Sequence, residues 1–367
     1  ASTYLWWDAD GNCREVPQGE GCEQGDPLAP ALYALGQHDA LLRAAEGLDR
    51  SDSLLAFLDD LYVVTVPERA RSALDSLVGC VADHCGVASN LGKTRVFGFA
   101  GSAAPPGVAE LGPDVWCGDE PSHQRGLVVL GTPIGHSDFV HAWAEARMRD
   151  EQQLLAHIPA LPDLQCSWLL LALCASPRAN HALLTLPPQE SALYARWHDE
   201  AIWEALLACL GGASPQEADA ARALATLPAT LGGLGLQPAQ RAAVAAYWAA
   251  WADALPVLRE RLPVHAEVYV AALSSEDCQV PSLRQAAEAR AQLQSEGWEA
   301  CPTWRALVDG RPPGPATDAG PGDWPHGWQF HASRTRNLFY RDRVLLPALS
   351  PDRRALLRSQ AGAQAGA

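Results

Sequence analysis

The feature that most constrains this chain is an apolar run interrupted by two adjacent carboxylates. Residues 54–66 read Leu-Leu-Ala-Phe-Leu-Asp-Asp-Leu-Tyr-Val-Val-Thr-Val, so that Asp59 and Asp60 separate two segments rich in strand-forming side chains. Two short apolar runs around polar turn residues predict a β-hairpin whose strands are buried and whose tip carries the acids. Because like charges held together cost energy unless a cation neutralises them, the pattern has two interpretations, a solvated turn or a divalent metal site.

A helix is predicted directly before this hairpin. Asp26 and Pro27 indicate its start, with Asp at the N-cap and Pro at the first helical position, and apolar residues at helical spacing continue to about Gly47. Gln24 and Gly25 fall in the preceding turn, where Gly lets the backbone approach a ligand and a Gln amide can hydrogen-bond to a base or sugar. An ordinary capped helix is the alternative interpretation.

The order of these segments resembles the palm of a reverse transcriptase. Residues 24–30, Gln-Gly-Asp-Pro-Leu-Ala-Pro, are followed by one predicted helix and then by the Asp-Asp hairpin. Residues 90–94, Asn-Leu-Gly-Lys-Thr, resemble the family's loop after the palm helix, in which a Lys lies near the nucleotide phosphates. Residues 130–135, Leu-Gly-Thr-Pro-Ile-Gly, resemble the hairpin that grips the primer end.

The Leu-Pro and Leu-Gly-Gly-Leu-Gly-Leu motifs of residues 227–236 are similar to a segment of non-LTR (LINE-type) retroelement polymerases. The resemblance covers residues 1 to about 256 and is strongest over 20–98. It implies an RNA-directed DNA polymerase, in which a primer 3′-hydroxyl attacks the α-phosphate of a deoxynucleotide and pyrophosphate leaves. The implied partners are an RNA template, a DNA primer and deoxynucleotides.

The same resemblance assigns roles to individual residues. Asp59 and Asp60 are the implied catalytic residues and the ligands of Mg²⁺ (or Mn²⁺), with Asp59 the more direct ligand; two such ions stabilise the attacking and leaving oxygens of phosphoryl transfer. Gln24 and Gly25 line the nucleotide and template site, and Lys93 neutralises or protonates the leaving pyrophosphate. The implied primer contacts are Gly131, Thr132, Ile134 and Gly135.

The family also uses a third carboxylate, on a strand upstream of the Gln-Gly-Asp-Pro segment. The acids considered there are Asp8 and Asp10, which fall in an Asp-Gly turn between two predicted strands. The turn is not a calcium loop either, because Gly19 takes the position of its bidentate Glu. We therefore expect a fragment without the fingers and first palm strand that is inactive alone.

Two alternatives remain open at this point. The chain is either such a polymerase fragment, or a catalytically dead or domesticated palm–thumb fragment that serves as a protein or nucleic-acid interaction module. A palm polymerase that makes RNA is disfavoured by the Gln-Gly-Asp-Pro motif.

The net charge of −16 opposes the nucleic-acid interpretation, because phosphate neutralisation supplies much of the affinity of nucleic-acid-binding proteins. Residues 331–358 differ from the rest of the chain, because they contain seven Arg and only two Asp. A solvated helix face is the alternative for this segment. The candidate nucleic-acid contacts are Arg334, Arg336, Arg341 and Arg343.

Cysteine usage and hydropathy predict the compartment. Ten cysteines occur without a Cys-x-x-Cys motif, which favours a reducing environment. No apolar run approaches the roughly 18 residues of a membrane span. We therefore predict an intracellular protein of the nucleus or cytoplasm without a membrane partner.

The predicted fold class is α+β: a partial polymerase palm of antiparallel strands and helices, then an α-helical thumb and a helical C-terminal extension. Within the palm we expect a second helix over about 67–86 and a strand near 94–98. The predicted boundaries are 1–98 for the palm, 99–126 for a loop insertion, 127–136 for the primer-grip-like hairpin, 137–256 for the thumb, 257–308 for the extension, 309–327 for a Pro/Gly linker and 328–367 for an Arg-rich tail.

Overall fold

The computed structural model describes residues 3–17, 19, 25–101, 103–212, 215–314 and 326–362, without the side chains of 215–218. The fold is α+β, as predicted: helices predominate, and the described strands form three separate two-stranded antiparallel sheets. The chain divides into two compact units, Ala1–Pro121 (unit 1) and Ser122–Ala367 (unit 2). The division falls inside the segment predicted as a loop insertion.

Unit 1 contains two hairpins and two helices. The hairpins are β1–β2 and β3–β4, and helix α1 lies between them in the chain while helix α2 follows. The bounds are Thr3–Trp7 for β1, Cys13–Pro17 for β2, Ala29–Glu46 for α1, Ser53–Phe57 for β3, Asp60–Val64 for β4 and Ala70–Cys85 for α2.

Two local predictions for unit 1 need correction. Helix α1 begins at Ala29, because the Asp26 carboxylate accepts a hydrogen bond from the Leu28 N–H (2.8 Å) and so caps a turn that precedes the helix. The strand expected near 94–98 is reduced to one parallel bridge between Val96 and Trp116. The first pattern thus forms a turn before the helix, and the second forms a single bridge instead of a strand.

The strands of the β3–β4 hairpin are less buried than predicted. Leu55, Phe57 and Val64 expose 46%, 58% and 61% of their surface, and Ser53 is the buried residue among the described members of β3. A two-stranded sheet offers few neighbours to cover its apolar side chains. The hairpin therefore keeps an exposed apolar surface beside its acidic tip.

The open end of the β3–β4 hairpin is closed by a buried carboxylate. Arg69, just before α2, donates through Nε and Nη2 to the Asp52 carboxylate (3.1 and 2.6 Å), and Thr65 Oγ1 donates to the same group (2.8 Å). The Arg69 hydrogen bond holds the pKa of Asp52 below its usual value even though burial opposes this. The ion pair thereby joins the base of the hairpin to the start of α2.

Unit 2 is largely helical and opens with one hairpin. Strands β5 and β6 span Gly126–Val129 and Thr132–Gly135. The helices are α3 (Ser137–His157), α4 (Leu164–Leu169), α5 (Asn180–Thr185), α6 (Pro188–Cys209), α7 (Pro215–Ala225), α8 (Ala239–Arg261), α9 (Pro263–Leu273), α10 (Pro281–Ser295), α11 (Trp304–Val308), α12 (Trp328–Phe339), α13 (Leu346–Ala348) and α14 (Pro351–Gln360). Two π-helical turns, Leu170–Ala175 and Tyr340–Leu345, interrupt the helical pattern.

The core of unit 2 is built around α8. Its buried Trp248 lies 4.9, 6.4 and 5.8 Å, between ring centroids, from the rings of Trp298, Trp304 and Trp328. Offset and edge-to-face contacts of this kind add to the stabilisation from apolar burial. Because Trp328 begins α12, the start of the segment predicted as an Arg-rich tail is part of the core.

A buried polar network ties α3 to α6. The carboxylate of Glu151, 1% exposed, accepts hydrogen bonds from Tyr194 Oη (2.6 Å) and His198 Nδ1 (2.8 Å). His198 Nε2 lies 3.2 Å from the carbonyl of Ser176. Burial alone would raise the pKa of Glu151, but the hydrogen bonds from His198 and Tyr194 and the positive charges of His198 and Arg147 hold it below its usual value.

The depressed pKa of Glu151 fixes the pH dependence that we expect. Stability from this carboxylate is complete above its unfolded-state pKa, near the usual 4.5, and is lost as the pH falls through the lower folded-state value. Tyr194→Phe removes one hydrogen bond that lowers this pKa. We expect a cost of about 1–2 kcal/mol in unfolding free energy at pH 7 and a smaller cost near pH 3.5, measured by denaturant unfolding.

Tyr247→Phe is the matched control for this prediction. The Tyr247 hydroxyl donates to a backbone carbonyl, that of Ser282 (3.1 Å), and not to a carboxylate. Its cost should stay the same at both pH values. An equal cost of Tyr194→Phe at both pH values would contradict the coupling to Glu151.

Candidate functional site

The two carboxylates of the predicted site lie at the tip of the β3–β4 hairpin. Phe57 pairs with Asp60, so the turn consists of Leu58 and Asp59, and both acids are exposed. Leu58 has φ +54°, in the left-handed region that bulky residues rarely adopt. Such strain persists where the surroundings hold it in place, and it is frequent at functional sites.

A side chain of α1 holds the strained turn. Gln37, 7% exposed, donates from Nε2 to the carbonyl of Leu58 at 2.7 Å. The sequence-based analysis missed this residue. In the sequence, Gln37 is recognisable as an amide at helical spacing from Ala40 and Ala44, with which it shares the buried face of α1. The hydrogen bond connects the helix that follows the Gly25 turn to the tip that carries the acids.

Tyr33 lies on α1, one helical turn before Gln37. Partial burial raises the pKa of Tyr33, and the negative charge of Asp59 raises it further, as does that of the Cys85 thiolate. The pKa of Tyr33 is therefore sensitive to the charge of Asp59.

The donor set at the tip suits a single Mg²⁺ completed by other ligands. Mg²⁺ typically takes one or two protein carboxylates and fills its remaining positions with water and substrate phosphates. In the described part of the chain, no cluster of three or more His, Cys, Asp or Glu side chains could hold a metal. Asp59 and Asp60 are the two carboxylates at the described tip.

The remaining predicted residues of unit 1 are placed as follows. Gln24 lies outside the described residues. Gly25 is exposed in the turn before α1, with φ +98°, a conformation that favours glycine. Lys93 is exposed in a turn after α2, where its N–H donates to the Asn90 carbonyl (3.0 Å). Its ammonium group is thus open to solvent.

The predicted primer-contact residues form the β5–β6 hairpin of unit 2. Leu130 and Gly131 occupy its turn with φ of +48° and +81°, as a two-residue I′ turn requires. Thr132 Oγ1 lies 3.3 Å from His181 Nε2, a contact that sequence analysis did not anticipate. The other two predicted contacts, Ile134 and Gly135, lie on β6, and Gly135 comes so close to Gly126 that a Cβ atom would clash.

The four candidate arginines differ in how exposed they are and in whether a carboxylate already binds them. Arg336 is 13% exposed on its side chain and donates to Glu296 Oε1 at 3.0 Å, so it is engaged inside unit 2. Arg341 forms an ion pair with Asp342 (2.7 Å). Arg343 is exposed and Arg334 is half-buried. The arginine-rich segment is therefore partly an internal structural element.

Comparison with known proteins gives one relevant similarity. The chain matches no family model and no solved structure. It is similar to the retrotransposable element SLACS 132 kDa protein of Trypanosoma brucei gambiense, with 25% identity over 226 residues. These residues are 61% of this chain and 18% of that protein. The similarity relates the chain to retrotransposable elements and does not by itself assign an activity.

The described helices include none that is both long and apolar enough to cross a membrane.

The influence of Asp59 on Tyr33 can be tested with charge variants. Asp59→Asn should lower the pKa of Tyr33 toward its ordinary value, because the negative charge that disfavours the tyrosinate is gone. Asp60→Asn is the matched control and should leave this pKa unchanged. The measurement is an NMR pH titration of the tyrosine ring signals. Equal shifts in both variants would show that Asp59 has no special position.

Proposed function

We propose that unit 1 is part of the palm of a retroelement RNA-directed DNA polymerase. The observation that carries this proposal is the β3–β4 tip, where Asp59 and Asp60 are exposed side by side after a helix that follows the Gly25 turn. The similarity to a retrotransposable element protein supports it. The template would be RNA, the growing strand DNA and the substrates deoxynucleotides, inside the cell.

Each residue of the tip has a defined part in this proposal. Asp59 and Asp60 would hold Mg²⁺ (or Mn²⁺), which when bound neutralises charge on the reacting phosphate groups. Asp59 would be the closer ligand, and Gln37 would keep the turn in a fixed conformation. Lys93 would offset the negative charge of the departing pyrophosphate.

The proposed template and primer contacts lie in the turn before α1 and on the β5–β6 hairpin. Gln24 and Gly25 would line the nucleotide site by resemblance, and the open surroundings of Gly25 leave room for close approach. The β5–β6 hairpin, through Gly131, Thr132 and its neighbours on β6, would contact the primer end. Its two-residue turn suits a positioning role.

We further propose that the chain alone is inactive. In the described residues, the sheet that carries Asp59 has two strands, so no third strand brings another carboxylate to the tip. Two carboxylates do not fix two metal ions for in-line displacement. Since the matching region is 18% of the relative's length, the missing acid would come from a segment outside this sequence.

A second candidate function is a non-catalytic interaction module. It is favoured by the apolar side chains that the two hairpins of unit 1 leave exposed, among them Phe57 and Val64 on β3–β4 and Trp6 and Trp7 on β1. Large apolar groups in exposed clusters mark interaction surfaces. Metal binding at the tip discriminates the two candidates, since an interaction module does not need it.

Metal binding is tested first, without relying on activity. Mg²⁺ at the tip should lower the pKa of Tyr33 in the wild-type chain, because it neutralises Asp59. In Asp59→Asn the addition of Mg²⁺ should have no such effect. NaCl at the same ionic strength controls for screening. If Mg²⁺ and NaCl act alike on the wild type, the tip binds no metal and the interaction module is the better assignment.

Primer extension tests the inference about activity. The 367-residue chain, incubated with an RNA template, a DNA primer, deoxynucleotides and Mg²⁺ or Mn²⁺, should incorporate no nucleotide above background. An intact reverse transcriptase in the same buffer serves as the positive control. Robust incorporation that Asp59→Asn abolishes would show that two carboxylates suffice and that the account of a missing third acid is wrong.

A further inference from the structure

Unit 2 contains a cavity that has no part in the palm chemistry. Its volume is about 660 Å³, which lies within the range of small-molecule sites. Helices α6, α7 and α8 form one side of it, and α12 with the π-helical turn Tyr340–Leu345 forms another. All of its walls belong to unit 2.

Four guanidinium groups face this cavity, and they are not equally neutralised. Arg196 is exposed on α6 and makes no hydrogen bond or ion pair with any described residue. Arg222 pairs with Glu200 (2.7 Å), and Arg336 pairs with Glu296. Arg241 donates to the carbonyl of Thr226 and has no carboxylate partner within hydrogen-bond distance among the residues described.

Two of the three acids of the lining are engaged with other groups. Asp199 is committed to the start of α8, where its carboxylate accepts the N–H groups of Ala239 (2.5 Å) and Gln240 (3.1 Å). Glu296 is committed to Arg336 through Oε1. Asp219 is the third acid of the lining. Together with Glu200, which pairs with Arg222, the carboxylates equal the guanidinium groups in number. Arg196 and Arg241 are nevertheless without a carboxylate partner among the described residues.

Aromatic planes accompany the guanidinium groups. The Arg241 guanidinium lies 4.2 Å from the ring centroid of Tyr340, and that of Arg222 lies 5.9 Å from the ring of Trp203. Burial lowers the pKa of Arg241 to about 10. Planar guanidinium and aromatic groups are the surfaces on which nucleobases stack.

Unsatisfied polar atoms are concentrated around the same cavity. Buried polar groups are usually hydrogen-bonded, and exceptions need a reason. Of the seven buried side-chain atoms without a partner in the described residues, three belong to the lining: Glu296 Oε2, Arg241 Nε and Arg336 Nε. The Glu296 side chain is itself 8% exposed. The π-helical turn Tyr340–Leu345 also lies in the wall of the cavity, and such turns are frequent at functional sites.

We propose that this cavity binds one nucleotide unit, either a free nucleotide or one nucleotide of a single-stranded RNA. Arg196 takes the phosphate, and the base lies against the aromatic and guanidinium planes near Tyr340. A phosphate and a planar base occur together in a nucleotide, whereas inorganic phosphate matches only the guanidinium groups. This proposal is independent of polymerase activity in unit 1.

Binding to the full chain is measured by isothermal titration calorimetry with four probes: AMP, UMP, a 5′-phosphorylated single-stranded RNA and inorganic phosphate. We expect nucleotide or RNA binding that Arg196→Gln weakens roughly tenfold or more, because a charge-assisted hydrogen bond is lost. Arg149→Gln is the matched control, since Arg149 is an exposed arginine of α3 outside the lining. It should leave the affinity unchanged.

A second variant fills the cavity without removing a charge. Val344 is 50% exposed at the wall, so Val344→Trp should block binding while the thermal unfolding midpoint stays near that of the wild type. Binding of AMP or UMP identifies a free nucleotide as the source, and binding of the RNA alone identifies a strand; both support the proposal. The proposal is overturned if none of the nucleotide probes binds, if inorganic phosphate binds as tightly as they do, or if Arg149→Gln weakens binding as much as Arg196→Gln.

Discussion

The hydrogen bond from Gln37 Nε2 to the Leu58 carbonyl governs how unit 1 presents its two carboxylates. A leucine in the left-handed region at the start of a two-residue turn is unfavourable by itself, and the buried amide compensates by satisfying the turn carbonyl. Asp59 follows this residue directly, so its direction depends on the same contact. At the other end of the hairpin, the Asp52–Arg69 ion pair fixes the strands to α2. Between these two contacts the hairpin has little apolar packing of its own.

Unit 2 differs from unit 1, because apolar packing around α8 forms its core and buried polar groups are hydrogen-bonded within that packing. The alanines of α8 allow close approach, and Trp248 gathers the aromatic side chains around it. The Glu151 network is buried at the α3–α6 contact because each of its groups has a partner there. Three of the buried side-chain atoms that lack a partner in the described residues belong to the cavity by Arg241, on Arg241, Arg336 and Glu296. The nucleotide proposed for the cavity would bring a phosphate to this group of charged side chains.

The net charge of −16 and a nucleic-acid role are compatible only if positive charge is local. The structure separates the arginines into those with internal partners, such as Arg336, and those that remain open, such as Arg196 and Arg343. The count of arginines in the C-terminal segment is therefore a poor measure of its affinity for phosphate. What matters is which guanidinium groups lack a carboxylate, and Arg196, outside that segment, is one of them.

The sequence by itself determined the α+β class, the order of the two hairpins and two helices of unit 1, and the hairpin around Gly131. These follow from the local period of apolar residues and from turn chemistry, which act over a few residues. Only the tertiary structure decided that Leu55 and Phe57 stay exposed, that Gln37 holds the turn, that Trp328 enters the core and that Arg336 is paired with Glu296. The physical reason is that burial and pairing depend on which surfaces meet across large sequence separations. Local periodicity contains no information about which surfaces these are.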